Sequence, residues 1–441
     1  MTNYVKRIIP AASIVLLLIL LGRILLFSAG APAGDGLSVQ QGLIDARNWS
    51  FASRGPLPLR GDWIFLHSVF LSPAEFSKFN NVLIKKQDYL TIPGFWNWQS
   101  AQYPAETYGT FVLKIILPEN IKKFGLYIGE ISSAYTLYIN DDLVMRNGLA
   151  GTSRQTSRAS SVPRIWTAPT DTSEITLLLH VSNYQGTRGG MWSAPLIGTP
   201  SQIYARHYGE IAADLFLFGS VFMIALYHFG LFCFRRMDRQ SLFFALFCFM
   251  VSLRGILTGG RFFQWSFPWI GFEASSSMRF ISVYAVSYFY YRYHILKFPE
   301  ESWRPFLTIT NIIIGFVTLS ALIMPIRQHM QLIFVFEVYL VCEITLILGG
   351  LFLALFRHRE ESLMYTAGFS ILFLTVLHDI LNYNMVIAGR YLFQYGAWLF
   401  ILLHSFLMAR HYVGMERKTL NYAASLEILT AELEDKIQKN R

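Results

Sequence analysis

Two groups of side chains in this 441-residue sequence have the chemistry to hold a ligand or to transmit its arrival. The first lies between residues 36 and 206. Trp96, Trp98, Tyr108, Tyr184 and Trp192 offer aromatic faces on which a sugar ring can lie, since a flat ring buries much area at little entropic cost. Asn183, Arg188 and Asp62 could supply hydrogen bonds around it, whereas Trp63 and Tyr135 read as core filler. The glycine-rich run Gly186-Thr187-Arg188-Gly189-Gly190-Met191-Trp192 follows an apolar stretch, and such a loop either binds a ligand or docks on a neighbouring domain. The second group sits inside long apolar runs: Asp214, Arg254, Arg279, Glu337 and Asp379, with His378 at the edge. Ionisable groups are costly in a bilayer, so these six are candidates for a buried polar network in which three acids and two bases neutralise one another. Static ion pairs that fix helix register are the plainer alternative.

Catalysis finds less support. The soluble parts show no nucleophile, phosphate-binding glycine loop or metal-ligand cluster, so no catalytic residue, metal or cofactor is expected. His228, His378, Asp379 and His404 invite comparison with intramembrane zinc hydrolases, but two belong towards one side of the membrane and two towards the other. Ligands so far apart in depth cannot share one ion. Cys233, Cys248 and Cys342 all lie in apolar runs and offer no disulfide framework.

The elements that must position these residues follow from composition. With 53% hydrophobic and 15% charged residues, the chain falls well short of the roughly 25% charge of a soluble domain. Mean hydropathy is +0.38. A helix needs about 20 apolar residues to cross a bilayer. Eight stretches qualify: residues 8–27, then about 210–234, 241–258, 276–291, 305–324, 332–356, 362–383 and 392–409. The first follows Lys6 and Arg7 and reads as a signal peptide or signal anchor within residues 1–27. Eight bases (Arg235, Arg236, Arg239, Arg292, Lys297, Arg304, Arg357 and Arg359) lie in one set of loops between the later seven, against Arg261, Arg327 and Arg390 in the other. The positive-inside rule places the first set and the C-terminus in the cytoplasm, and residues 36–206 outside. The net charge of +9 divides into +2 for residues 1–35, +4 for 36–206, +3 for 207–413 and zero for the tail. No part is basic enough for nucleic acid.

Residues 36–206 alternate apolar and polar positions between turn residues, as in 111–115, 126–128, 135–139 before Asn140-Asp141-Asp142, and 175–181. This predicts an all-β jelly-roll sandwich with no helix longer than two turns. The tail, 414–441, repeats apolar residues at Leu420, Ala423, Ala424, Leu426, Leu429, Leu433 and Ile437 among charges. It predicts an amphipathic helix that continues the last span and pairs with a second copy as a coiled coil.

The motifs Gly61-Asp62-Trp63-Ile64-Phe65, Ile92-Pro93-Gly94-Phe95-Trp96, Tyr108-Gly109-Thr110-Phe111, Ser132-Ser133-Ala134-Tyr135-Thr136-Leu137-Tyr138-Ile139-Asn140 and Val181-Ser182-Asn183-Tyr184 form an ordered series. They are followed by Leu253-Arg254-Gly255-Ile256-Leu257-Thr258-Gly259, His378-Asp379-Ile380-Leu381-Asn382 and Ser405-Phe406-Leu407-Met408-Ala409-Arg410. From about residue 36 to 441 the chain resembles the bacterial seven-transmembrane receptors with diverse intracellular signalling modules. Their periplasmic domain is similar to the galactose-binding jelly roll found beside glycosidase catalytic domains. The resemblance implies an inner-membrane receptor, with a small-molecule or glycan ligand outside and an attached kinase, cyclase or phosphatase inside. Only about 28 residues follow the last span here. The output is therefore expected from a separate cytoplasmic protein or from a longer gene product. The alternative from another class is a non-signalling membrane anchor or scaffold that binds envelope glycan or a partner protein.

Overall fold

The computed structural model describes residues 37–83, 88–119, 121–169, 172–359, 361–387 and 389–439. The first span, expected at 8–27, lies outside the described residues. The described chain forms two compact units, one running to Lys297 and adding Trp303–Glu343, the other made of Phe298–Ser302 and the chain from Ile344 onwards.

The first unit begins with strands β1 (Leu43–Asp45), β2 (Leu57–Pro58), β3 (Gly61–His67), β4 (Asp88–Ile92), β5 (Gly94–Phe95), β6 (Thr107–Ile116) and β7 (Lys123–Ile128). It continues with β8 (Ile131–Ser132), β9 (Ala134–Ile139), β10 (Asp142–Asn147), β11 (Arg164–Pro169), β12 (Glu174–Asn183), β13 (Gly190–Met191) and β14 (Leu196–Gly198). Between them lie helices α1 (Phe51–Arg54), α2 (Pro73–Leu83) and α3 (Trp96–Gln99). One sheet has the order β10-β9-β12-β6-β3-β4, with β1 parallel to β6; a second runs β11-β7-β14-β2; a third, small one runs β5-β13-β8. β6 and β12 pair antiparallel over ten residues, from Glu174 opposite Ile116 to Asn183 opposite Thr107.

Alternation along those strands sends Phe111, Leu113, Ile115, Ile175, Leu177, Leu179 and Val181 into one core with Trp63, Phe65, Phe124, Leu126, Ile128 and Ile197. The opposite face is covered as well. The segment 69–72 crosses it, with the Leu71 N–H donating to Thr110 Oγ1 (3.1 Å), the Thr110 hydroxyl donating to the Val69 carbonyl (2.7 Å) and His180 Nε2 bonded to the Leu71 carbonyl (2.8 Å). Phe70 stacks there on His180 at 4.8 Å. Burial pushes the His180 imidazole below its ordinary pKa, which keeps the covered face uncharged near neutral pH.

Helix α2 departs from the expectation of no helix longer than two turns. It runs eleven residues, and its start is a capping box: Ser72 N–H and Oγ donate to Glu75 Oε2 while Ser72 Oγ accepts from the Glu75 N–H, with Pro73 at the first helical position. The signal Ser72-Pro73-Ala74-Glu75 was present in the sequence, overshadowed by the alternation around it.

The β domain leads without a linker into α4 (Pro200–Phe234). Thr199 caps it in a capping box with Gln202, whose side chain also donates to the Phe51 carbonyl at 2.6 Å. Ile203, fully buried, packs over Gly125 of β7, where an added Cβ would meet it at 3.0 Å. The helix thus starts within the segment 36–206 and is rooted in the β core. It is followed by α5 (Arg239–Leu257), α6 (Phe262–Ser266), α7 (Phe272–Lys297), α8 (Phe306–Ile323), α9 (Ile326–Gln331), α10 (Ile333–Phe356), α11 (Ser362–Tyr383) and α12 (Phe393–Lys439). Five of these, α4, α5, α8, α10 and α11, are long and apolar enough to cross a membrane. α12 is one continuous helix through the tail, as its periodicity predicts.

In the second unit the buried Glu301 accepts from Arg357 at 3.2 Å and Arg359 at 2.9 Å. Burial would raise the Glu301 carboxyl, but the hydrogen bonds from Arg359 and Arg357 outweigh it and hold the group below its ordinary value. A depressed carboxyl stabilises the fold above its unfolded pKa and loses that contribution as pH falls through the folded value. We expect Glu301→Gln to lower stability by about 1–3 kcal/mol at neutral pH. In thermal unfolding of the detergent-solubilised chain, the difference from wild type should vanish as the pH falls below the carboxylate range.

Candidate ligand cluster and its junction with the helices

Of the eight ligand candidates, the structure brings three together. Arg188 lies over Trp98 with its guanidinium carbon 4.3 Å from the ring centre, and 5.8 and 5.7 Å from Phe95 and Trp192. Phe95 meets Trp98 and Trp192 edge-on at 5.2 and 4.6 Å. Pairing of β5 with β13 sets this spacing, because Gly190 opposite Phe95 brings the two loops side by side. Asn97 pins the loop further, donating to the Thr187 carbonyl (3.3 Å) and accepting from the Gly189 N–H (3.1 Å). Trp98 is 50% exposed, so the cluster presents an aromatic face and a cation to its surroundings.

The other five candidates serve the fold. Trp96 is fully buried, stacks on Phe65 at 5.7 Å and donates to the Pro104 carbonyl. Asn183 is fully buried, with its amide donating to the Ala105 and Gly186 carbonyls and its oxygen accepting from the Gly186 N–H. Tyr184 donates to the Thr152 carbonyl at 2.6 Å, and Tyr108 packs on Phe70 on the covered face. Asp62 accepts from the Thr91 hydroxyl. In each case a side chain chosen for its polarity or its ring is engaged by the domain's own backbone or packing.

Beside the cluster lies an ionic junction that the sequence reading did not single out. Trp192 donates from Nε1 to Ser132 Oγ (2.7 Å) and from its backbone to the Glu130 carbonyl (3.2 Å). The Glu130 carboxylate pairs closely with Arg261, which also donates to Ser161, and reaches Arg279 of α7 at 4.0 Å. Glu106 pairs closely with Arg327 of α9 and with Arg154 at 2.7 Å. Tyr127 of β7 donates to Glu210 of α4 at 2.7 Å, and Arg206 pairs with the same glutamate. Two of the three bases counted as the minority in loop charge, Arg261 and Arg327, are therefore the partners of β-domain acids. Arg188 also lies within electrostatic reach of Glu337 on α10, so the glycine-rich loop faces the helices as well as forming the cluster.

Among the candidates in the apolar runs, Asp214 differs from the expected exchange of charge with a base. Its carboxylate accepts from the Gly260 N–H at 2.7 Å and lies where a Cβ on Gly259, at φ +61°, would meet it at 2.6 Å. It braces the turn after α5 through that hydrogen bond rather than through an ion pair with one of the candidate bases. Arg254 donates to the Arg279 carbonyl at 3.1 Å, and Arg279 to Ser276 at 2.7 Å. In the second unit, Asp379 accepts from the Leu392 and Phe393 N–H groups at 2.7 and 2.9 Å, at the start of α12, with His378 Nδ1 at 3.1 Å. His404 Nδ1 bonds the Phe400 carbonyl at 3.0 Å. Among the described residues no group of three His, Cys, Asp or Glu side chains is arranged to hold a metal ion.

A β-rich domain that leads into five helices long and apolar enough to cross a membrane defines a membrane protein. Residues 210–411 match the family model for 7TM diverse intracellular signalling. No curated protein sequence matches the chain. Among solved structures it is similar to a β-glucuronidase of an uncultured Clostridium species, at 14% identity over 33% of this chain and 29% of that one, with a TM-score of 0.26. The Ruminococcus gnavus β-glucuronidase (15%, 33% and 29%, TM-score 0.25) and that of Faecalibacterium prausnitzii (13%, 33% and 31%, TM-score 0.24) are comparable. The chain spans about three-tenths of the length of these proteins, and so slight a likeness carries no statement about activity.

The neighbours Trp96 and Trp98 separate fold from site. Trp96→Ala should cost about 3–5 kcal/mol in thermal unfolding, because it empties a core position. Trp98→Ala should change stability by less than about 1 kcal/mol while abolishing any ligand-induced shift in unfolding temperature.

Proposed function

We propose that this chain is a bacterial inner-membrane signalling receptor whose β domain, a jelly roll of the galactose-binding type, lies in the periplasm. The cluster of Trp98, Arg188 and Trp192 with Phe95 receives a small ligand, a carbohydrate being the class its rings suit best. The count of seven spans is reached by adding α7 and α12 to the five more apolar helices. Lipid surrounds the spans, and the C-terminus is cytoplasmic by the loop-charge rule. There the tail pairs with a second copy and passes its state to a signalling module. Leu420, Leu426, Leu429, Leu433 and Ile437 are all more than half exposed, which supports a partner along that stripe. The chain itself carries out no catalysis.

The observation that carries this reading is the short path from cluster to helices. Trp192 is one backbone hydrogen bond from Glu130, and the Glu130 carboxylate holds Arg261 and approaches Arg279. A ligand that shifts the loop 186–192 therefore shifts an ion pair on which the helices depend, and proximity becomes coupling when that pair takes two arrangements. The test is a thermal-shift screen of mono- and oligosaccharides on the full chain in detergent. At least one should raise the unfolding temperature of the wild type and fail to do so with Arg188→Ala. A complete screen without such a shift contradicts the carbohydrate reading.

A further inference from the structure

Glu343 takes no part in the junction. It lies ten residues into the 24-residue helix α10, close to the middle of a bilayer-length span. Its side chain is only 2% exposed. Oε2 accepts a hydrogen bond from Ser287 of α7 at 2.5 Å, while Oε1 is enclosed with no donor at hydrogen-bond distance and the Tyr339 hydroxyl lies beside the carboxyl. One turn earlier on the same face of α10, Tyr339 donates to Thr310 Oγ1 of α8 at 3.2 Å, and both groups are buried. Three helices thus converge with oxygen atoms alone. Among the described residues no lysine, arginine or histidine pairs with Glu343, and the titratable groups within its field are the phenols of Tyr339 and, from α7, Tyr291.

A carboxylate in hydrocarbon surroundings without a counter-charge is among the costliest arrangements a protein can hold. A proton would cancel the charge, with the Ser287 and Tyr339 hydroxyls beside it. A small cation against Oε1 satisfies the charge and the oxygen together, and hydroxyl oxygens that already donate still have lone pairs to offer it. Hard cations prefer such all-oxygen surroundings, and a single negative charge matches a monovalent one.

We propose that Glu343, with the hydroxyls of Ser287, Tyr339 and Thr310, binds a sodium-sized alkali cation between α7, α8 and α10. Ser287 is eight residues along α7 from Arg279, the residue that approaches Glu130, so an occupied site fixes the helix on which the junction bears.

The test is thermal unfolding of the full chain in detergent, titrated with sodium chloride against N-methylglucamine chloride at constant ionic strength and pH. The expected result is a saturable rise in unfolding temperature with sodium. Glu343→Gln should abolish it, and Ser287→Ala or Thr310→Val should shift its midpoint at least tenfold to higher sodium. The two hydroxyl variants decide the matter if Glu343→Gln fails to fold. Equal unfolding temperatures in the two salts overturn the proposal, as does a sodium effect that survives in the variants. A dependence on pH with none on sodium assigns the site to a proton and overturns it also.

Discussion

A guanidinium cannot shed its charge in a protein, so wherever it is buried something anionic must meet it. Arg261 is 5% exposed and sits at a positive φ of 55° in the turn after α5. Its charge is answered by Glu130, from the turn between β7 and β8. That constraint fixes more than one contact. It sets which end of the β domain faces the helices, and it ties the turn after α5 to a strand whose neighbour carries Trp192. With Glu106 on Arg327 and Tyr127 on Glu210, the β domain is held at three separate helical segments. Chain continuity reinforces the hold on α4, where strand becomes helix at the Thr199 capping box with no flexible linker between.

The arrangement gives the cluster of Trp98, Arg188 and Trp192 a mechanical setting. The rings are held by a two-residue ladder between β5 and β13, and Asn97 pins the loop that carries Arg188. Arg188 answers to the rings on one side and to the field of Glu337 on the other. The Glu130 backbone lies next in the chain of contacts, bonded to the Trp192 N–H.

Much of the architecture was legible in the sequence because it rests on periodicity. The alternation at 111–115, 135–139 and 175–181 falls within β6, β9 and β12, and the tail stripe lies on the continuous α12. The site was less legible, for a physical reason. Asn183 and Tyr184 have the same polarity as ligand-binding residues, yet their hydrogen bonds go to the carbonyls of Ala105, Gly186 and Thr152, up to 78 positions away. Glu106 and Glu130 carry no local signal, since their partners Arg327 and Arg261 lie more than 130 residues further on. Arg261 and Arg327 did stand out as bases on the sparse side of the loop count. Asking what acid each would meet in a folded outer domain was the route by which the junction could have been found.

The central claim is that charge pairing at Glu130 holds the β domain in one arrangement on the helices. The most direct measurement is the spin-label distance distribution between position 142 on β10 and position 269 after α6, in a cysteine-free background reconstituted in lipid nanodiscs. The account predicts a narrow distribution in the parent protein, a broad one in Glu130→Arg, and a narrow one again when Arg261→Glu is added. An unchanged distribution in Glu130→Arg would contradict it.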